Sequence, residues 1–509
     1  MSNLGSDPRG TELRQPLTFE RHGIDRIPEE ERKSTPWTFF VVLTGTSFTL
    51  GSIVFGWLPI TFGLSFRASV TAIAVGTLAG LIPISPLIVL ASRTATNNST
   101  SSGAHFGVRG RLIGSGLGLC LMLVSCAVAI WSGGGVLVAA ASRLVHTPAG
   151  PGALAVTYAV LAALTALIAI YGYHLLARTT LVLMVFGAAT MLLMIPAFAG
   201  HVHPGYPGGH YALGTFTPTW LLAALTVGVG GVMLMSTMVG DWSRYIPARR
   251  YRPARLLPVA LLGIVASYVV PMTIGALVTT AFANPYAPFP QSLVAASPGW
   301  YLIVLIPMAL LGGLGWSASN VYSSGLDLSA IVSRLTRARA TSIMSVASMG
   351  LVLAGSLAWN PSASLSAVTL LLLAVSGPWA AIVGIGYLRC RGSYLEDDLQ
   401  VFNRRETGGA YWFTGGWNPA AVGAWAAGSV FGLLAVQTTL YTGPLAGIAG
   451  GVDVSFAGSF LIAGVLYLIA DVLAASSRRP GQPIQAMRGG PGAPGPARAE
   501  ASAAGKADG

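Results

Sequence analysis

About twelve apolar runs, each long enough to cross a bilayer, alternate with short polar connections along this chain: residues 37–64, 70–90, 112–141, 153–170, 181–198, 221–240, 257–282, 301–320, 343–359, 365–388, 420–441 and 456–473. A helix satisfies its own backbone inside lipid, so the runs predict an all-α polytopic membrane protein with about twelve transmembrane helices. Two runs are not uniformly apolar. The first carries Thr44, Gly45, Thr46, Ser47 and Thr49, and the sixth is interrupted by Gly228-Val-Gly-Gly231 before ending in Asp241-Trp-Ser-Arg-Tyr-Ile-Pro247. Interruptions at membrane depth predict discontinuous helices whose backbone lines a path. They lie five spans apart, which predicts two five-helix inverted repeats, each opening with a broken helix, and two additional C-terminal helices. Residues 1–36 form a polar segment without the apolar core of a signal peptide, residues 37–475 the membrane domain, and residues 476–509 a Pro-, Gly- and Ala-rich tail expected to be disordered.

Composition removes the alternative of a water-soluble globule, because 53% of residues are hydrophobic and only 9% charged. The net charge of +12 comes from arginines that sort by loop. One side receives Arg93, Arg109 and Arg111, then Arg178, then Arg244, Arg249, Arg250, Arg252 and Arg255, then Arg334, Arg337 and Arg339, then Arg389, Arg391, Arg404 and Arg405; the other receives Arg67 and Arg143. The positive-inside rule places both termini in the cytoplasm and the protein in the cytoplasmic membrane, and it accounts for the charge without a nucleic-acid partner. Three cysteines make no disulfide framework, and Cys120 and Cys126 sit within an apolar run as buried thiols.

Catalysis needs titratable groups that converge, and few qualify. Asp241, Asp327, Asp398 and His174 fall at span ends or in loops, and Asp471, in the last run, is expected to snorkel or pair with Arg478. Without paired carboxylates, a His cluster or a nucleophile elbow, an enzyme is disfavoured. The interior is neutral instead: Thr44, Thr46, Ser47 and Thr49; Trp131 with Ser132; Ser236 and Thr237; Ser317, Ser319 and Asn320. Hydroxyls, an amide and an indole suit a flat, uncharged, polar solute. The bland reading is that hydroxyls bond to the preceding turn and glycines pack helices together. Asp241 and Arg244, three apart, read as an ion pair fixing a helix end.

Several motifs then act together. Gly23-Ile-Asp-Arg-Ile-Pro28 with Glu30-Glu-Arg32, Asp241-Trp-Ser-Arg-Tyr-Ile-Pro247, Asn320-Val-Tyr-Ser-Ser-Gly-Leu-Asp327, Gly408-Gly-Ala-Tyr411 and Trp417-Asn-Pro-Ala420 resemble, in order and in place, the purine-cytosine permease family of nucleobase-cation symporters. The resemblance implies a five-plus-five inverted repeat and import of a cytosine- or purine-type nucleobase with a cation, H+ or Na+, by alternating access, without a cofactor or an obligatory protein partner. It implies that Trp131 stacks on the substrate and that Ser317 and Asn320 read its edge; the two interrupted runs add the expectation that unwound backbone at Gly45, Thr46, Ser47, Gly228, Gly230 and Gly231 takes part. The cation would lie at Thr44, Gly45, Gly315 and Ser319, with Asp241 and Arg244 as a structural signature. The chain departs from the pattern at Gly135, where relatives often carry an amide, in Gly231-Val-Met-Leu-Met, which lacks an expected tryptophan, and at Gly386, which stands for an acid. Alternatives are another heterocycle (allantoin-, uracil- or vitamin-like) or an amino acid as substrate, and a receptor that transports nothing.

Overall fold

The computed structural model describes residues 25–476, except 172, 333, 359, 360, 439 and 451. Helix makes up 73% of the structure, and the described residues form no strand beyond two isolated bridges. Among them, nine helices are long and apolar enough to cross a membrane, and the bent pair Pro36–Gly45 and Leu50–Thr61 makes a tenth. The apolar helices Val185–Phe198 and Pro419–Ala435 occupy the two remaining predicted runs. The latter is shorter than its run of apolar residues: after Ala435 the chain folds back, with the Gly443 N–H donating to Val436 O and that of Leu445 to Leu434 O, both at 2.8 Å. Ile82 and Ile303 are 70% and 75% exposed on span surfaces, which lipid rather than water must cover.

The first span starts where Thr35 Oγ1 accepts the Thr38 N–H at 3.0 Å and Pro36 takes the first helical position. It is helical through Ser47; Phe48 and Thr49 leave the helix, and the second half, Leu50–Thr61, turns away by 64°. Glycine and hydroxyl residues before the break weaken local helix propensity. The unwinding thus falls just beyond the expected Gly45–Ser47 stretch. The second half locks onto the seventh span, Pro253–Thr279, through reciprocal glycines: a Cβ on Gly56 would lie 1.9 Å from Met272 O, and one on Gly275 2.0 Å from Ile53 O.

The sixth span corrects a second expectation. It runs as α-helix over Phe216–Ala223, π-helix over Ala224–Val229 and α-helix over Gly230–Met233, so Gly228, Gly230 and Gly231 are helical rather than unwound. Their lack of side chains admits neighbours: a Cβ would stand 2.4 Å from Gly76 at Gly228, 2.5 Å from Thr369 at Gly230 and 2.9 Å from Met272 Cε at Gly231. The helix instead gives way to turns at 234–238, where Asn98 Nδ2 donates to Ser236 O at 2.8 Å before helix resumes at Val239–Ser243.

The arginine-rich connections gather at one end. Arg32 donates to Arg244 O at 3.0 Å, to Ile246 O and to Ser92 O, tying the segment before the first span to the second and sixth spans. Burial lowers the Arg32 pKa, against the opposing effect of Glu29 paired at 2.8 Å. At the opposite end Trp57 Nε1 donates to Pro285 O at 2.7 Å and Arg143 to Ser297 O at 2.7 Å. Asp471 pairs with Arg389 at 2.8 Å; Arg478 lies outside the described residues.

Candidate transport site

The third span, Leu112–Val145, and the eighth, Gly299–Ile331, pack antiparallel along their lengths. Gly133 permits this: a Cβ there would lie 2.7 Å from Ala309 O and 3.6 Å from Gly313 Cα. On another face of the third span, half-buried Trp131 lines a cavity of about 120 Å³ with Val128, Leu351, Val352, Ser364 and Leu365. Trp57, 1% exposed, stands beside Trp131 with centroids 6.4 Å apart, and Phe289 of the short helix Phe289–Ala296 stands 6.2 Å beyond Trp57. The cavity is almost wholly apolar, so it can receive the faces of a ring but not read its edge.

Polar edges lie elsewhere on the eighth span. Asn320 is fully buried; its Nδ2 donates to Trp316 O at 2.8 Å, leaving Oδ1 without a partner among the described residues. The amide cannot flip, since Oδ1 would then face the Trp316 carbonyl. Gly312 sits two helical turns before Asn320 on the same stripe, and its missing Cβ would lie 3.3 Å from Thr49 Cβ in the first-span break. At that break Ser47 Oγ and Thr49 Oγ1 are buried without partners among the described residues. The Thr46 side chain lies outside the described residues. Ser317 points another way, facing the Cys126 thiol together with Ser348. Trp131 therefore lines the cavity, whereas Asn320, Ser317 and Ser47 do not.

The four cation-site candidates supply oxygen but no carboxylate. Thr44 Oγ1 donates to Phe40 O at 2.9 Å and Ser319 Oγ to Gly315 O at 3.1 Å, so each hydroxyl bonds its own helix. Asp241 and Arg244 are 3% and 0% exposed, with Arg244 Nη2 donating to Tyr322 OH at 3.4 Å across to the eighth span.

Over residues 26–459 the sequence matches the family described as permease for cytosine/purines, uracil, thiamine, allantoin. The chain belongs to this family. It is therefore a multi-pass membrane permease and not an enzyme. The permease is 26% identical over 467 residues to the Bacillus subtilis (strain 168) protein YxlA, named as a purine-cytosine permease, covering 89% of this chain and 96% of that one. Its fold is shared with Mhp1, a nucleobase-cation-symport-1 family transporter, in a closed conformation with bromovinylhydantoin bound: TM-score 0.69 at 18% identity, covering 93% and 99% of the two chains. Inward-facing Mhp1 gives a TM-score of 0.70 at 18% identity, covering 92% and 97%. A substrate-bound, outward-open Na+-coupled sialic acid symporter gives 0.56 at 13% identity, covering 87% and 91%.

Packing accounts for the places where the permease departs from the pattern. A side chain at Gly135 would meet Pro290 at 2.9 Å, so glycine there lets the helix Phe289–Ala296 seat on the third span. Arg143 pins that helix through Ser297 O. At Gly231, Tyr268 of the seventh span comes within 3.2 Å of a would-be Cβ and fills the space near the missing tryptophan. At Gly386 the His105 ring stands 2.2 Å from a would-be Cβ, leaving no room for an acidic side chain. Sequence reading did not single out Trp57, Tyr268 or His105, because nothing local distinguishes them from packing residues.

Proposed function

We propose that this permease imports a nucleobase of the cytosine or purine type, or a related small heterocycle, by cation-coupled alternating access through the cytoplasmic membrane, with both termini in the cytoplasm. The observation that carries the reading is the buried, unpartnered Oδ1 of Asn320, an acceptor for a ring N–H or exocyclic amine. Trp131, with Trp57 of the first span 6.4 Å away, supplies the stacking face. The neutral set Asn320, Ser47 and Gly45 suits an uncharged heterocycle better than an amino acid, whose carboxylate would want a cation or a helix N-terminus. The names of YxlA and Mhp1 and the family description support the substrate class. The break in the first span and the irregular sixth span support two inverted five-helix repeats moving against one another. Arginine asymmetry supports the orientation. Thr44, Gly45, Gly315 and Ser319 remain the set for a sodium ion, though both hydroxyls are turned onto their own helices.

Uptake of radiolabelled cytosine, adenine, hypoxanthine, uracil and allantoin, repeated without sodium and with a protonophore, tests the reading. Saturable uptake of one of them, abolished by removing one ion gradient, is the expected result. Failure of all five to enter refutes it.

A further inference from the structure

The arginine-rich end holds two buried carboxyl groups that substrate recognition leaves unused. Asp327, in the last turns of the eighth span, and Asp241, at the end of the sixth, are each 3% exposed. Asp327 is wedged between the third and sixth spans: a Cβ on Gly118 would lie 2.0 Å from its Oδ2 and 3.3 Å from Thr237 Oγ1. Asp241 faces it from the sixth span, the Ser99 and Ser115 hydroxyls are its nearest hydrogen-bond donors, from the preceding connection and the third span, and Arg111 is the cation acting on it. Arg111 nevertheless directs its hydrogen bonds to Thr100, at 3.4 Å, and to Asn403, and lies over the Phe402 ring at 4.7 Å. Arg244 lies on the Asp241 side, donating to Asp241 O at 3.3 Å and to Tyr322.

Orphaned acceptors set this cluster apart from a closed ion-pair network. Among the described residues Asp327 Oδ1 has no hydrogen-bond partner, nor do Thr237 Oγ1 beside it and Asn98 Oδ1 against Gly240. A carboxylate withheld from water without a directly bonded cation is costly. A proton is the ligand that fits. It converts Asp327 from acceptor to donor and so satisfies an orphaned oxygen, whereas two guanidiniums already supply the positive charge a metal ion would bring. No group of three or more metal-ligating acids, histidines or cysteines forms among the described residues.

We propose that Asp327 binds the coupling proton. The proton forms an O–H bond on a carboxylate oxygen while the third, sixth and eighth spans close over it. It leaves to cytoplasmic water, its bonding pair returning to the carboxylate, when their ends part. This inference rests on the symport reading above.

The test uses the full-length protein in proteoliposomes without sodium, with the best-transported of the five probes. One proton per substrate lets a gradient of about one pH unit sustain about tenfold accumulation. For Asp327→Asn the ratio falls to about one, while downhill entry continues and loses its pH dependence. Tenfold accumulation by the variant, or wild-type accumulation that ignores the pH gradient and appears only when a sodium gradient is added in a parallel arm, overturns the proposal and leaves the transporter reading standing. If the variant does not fold, a pH dye inside wild-type vesicles decides: acidification with probe entry supports the proposal, and its absence overturns it. If no probe enters at all, the symport reading fails separately, and infrared spectra still decide the proton site. A neutral-carboxyl band that titrates in wild type and is missing in Asp327→Asn supports it; identical spectra overturn it.

Discussion

Replacing Asn320 by Ala separates a recognition role from a packing role. Asn320 Oδ1 is buried with no partner among the described residues, and leaving such an acceptor unmade costs about 1–3 kcal/mol. A substrate N–H that reaches it recovers that amount. Asn320→Ala removes the cost from the empty state and the recovery from the loaded one, so affinity falls by about 1–3 kcal/mol, or roughly 5- to 150-fold. Folding responds differently. The lost bond from Nδ2 to Trp316 O, 2.8 Å long, is worth about 1 kcal/mol, and relief of the orphaned oxygen offsets it.

The assay measures uptake against concentration in cells lacking their own carrier for the probe, alongside thermal unfolding of purified protein. KM should rise by one to two orders of magnitude while the melting temperature moves by a few degrees at most. An unchanged KM removes Asn320 from the site. A large drop in melting temperature, with uptake falling only as folded protein falls, assigns the residue to packing instead.

Two further outcomes follow from backbone contacts. Gly228→Ala puts a methyl 2.4 Å from Gly76 backbone, which cannot give way, so it should destabilise by about 1–3 kcal/mol. Gly116→Ala, with nothing within 4 Å, should gain up to about 1 kcal/mol; thermal unfolding of both variants checks the contrast. Arg32→Ala strands the carbonyls of Ser92, Arg244 and Ile246, and should speed hydrogen exchange at 92–96 and 244–248 while leaving the Trp57 end unchanged; equal rates would show that Arg32 does not hold that end closed.

Period, run length and arginine placement are local quantities, so the chain alone determined the spans, their alternation and the membrane class. The same locality limited what could be read at the breaks. Thr44 to Thr49 looked weakly helical, and the bend came at Phe48 and Thr49, where the second half could dock by Gly56 and Gly275 against the seventh span. Gly228 to Gly231 looked like an interruption because glycine disfavours helix in isolation. It stayed helical because the second, seventh and tenth spans come closer there than any side chain would allow.

Site residues divide the same way. Sequence can name Trp131, Ser317 and Asn320 as polar or aromatic groups at depth, but facing depends on how helices roll against one another. Only the tertiary structure decided that Trp131 lines a cavity, that Asn320 keeps an orphaned oxygen and that Ser317 turns toward Cys126. Likewise Asp241 and Asp327, 86 residues apart in the chain by their numbers, read singly as span-end acids. Packing of the third, sixth and eighth spans brought them together away from water, and that burial with proximity is something no linear pattern encodes.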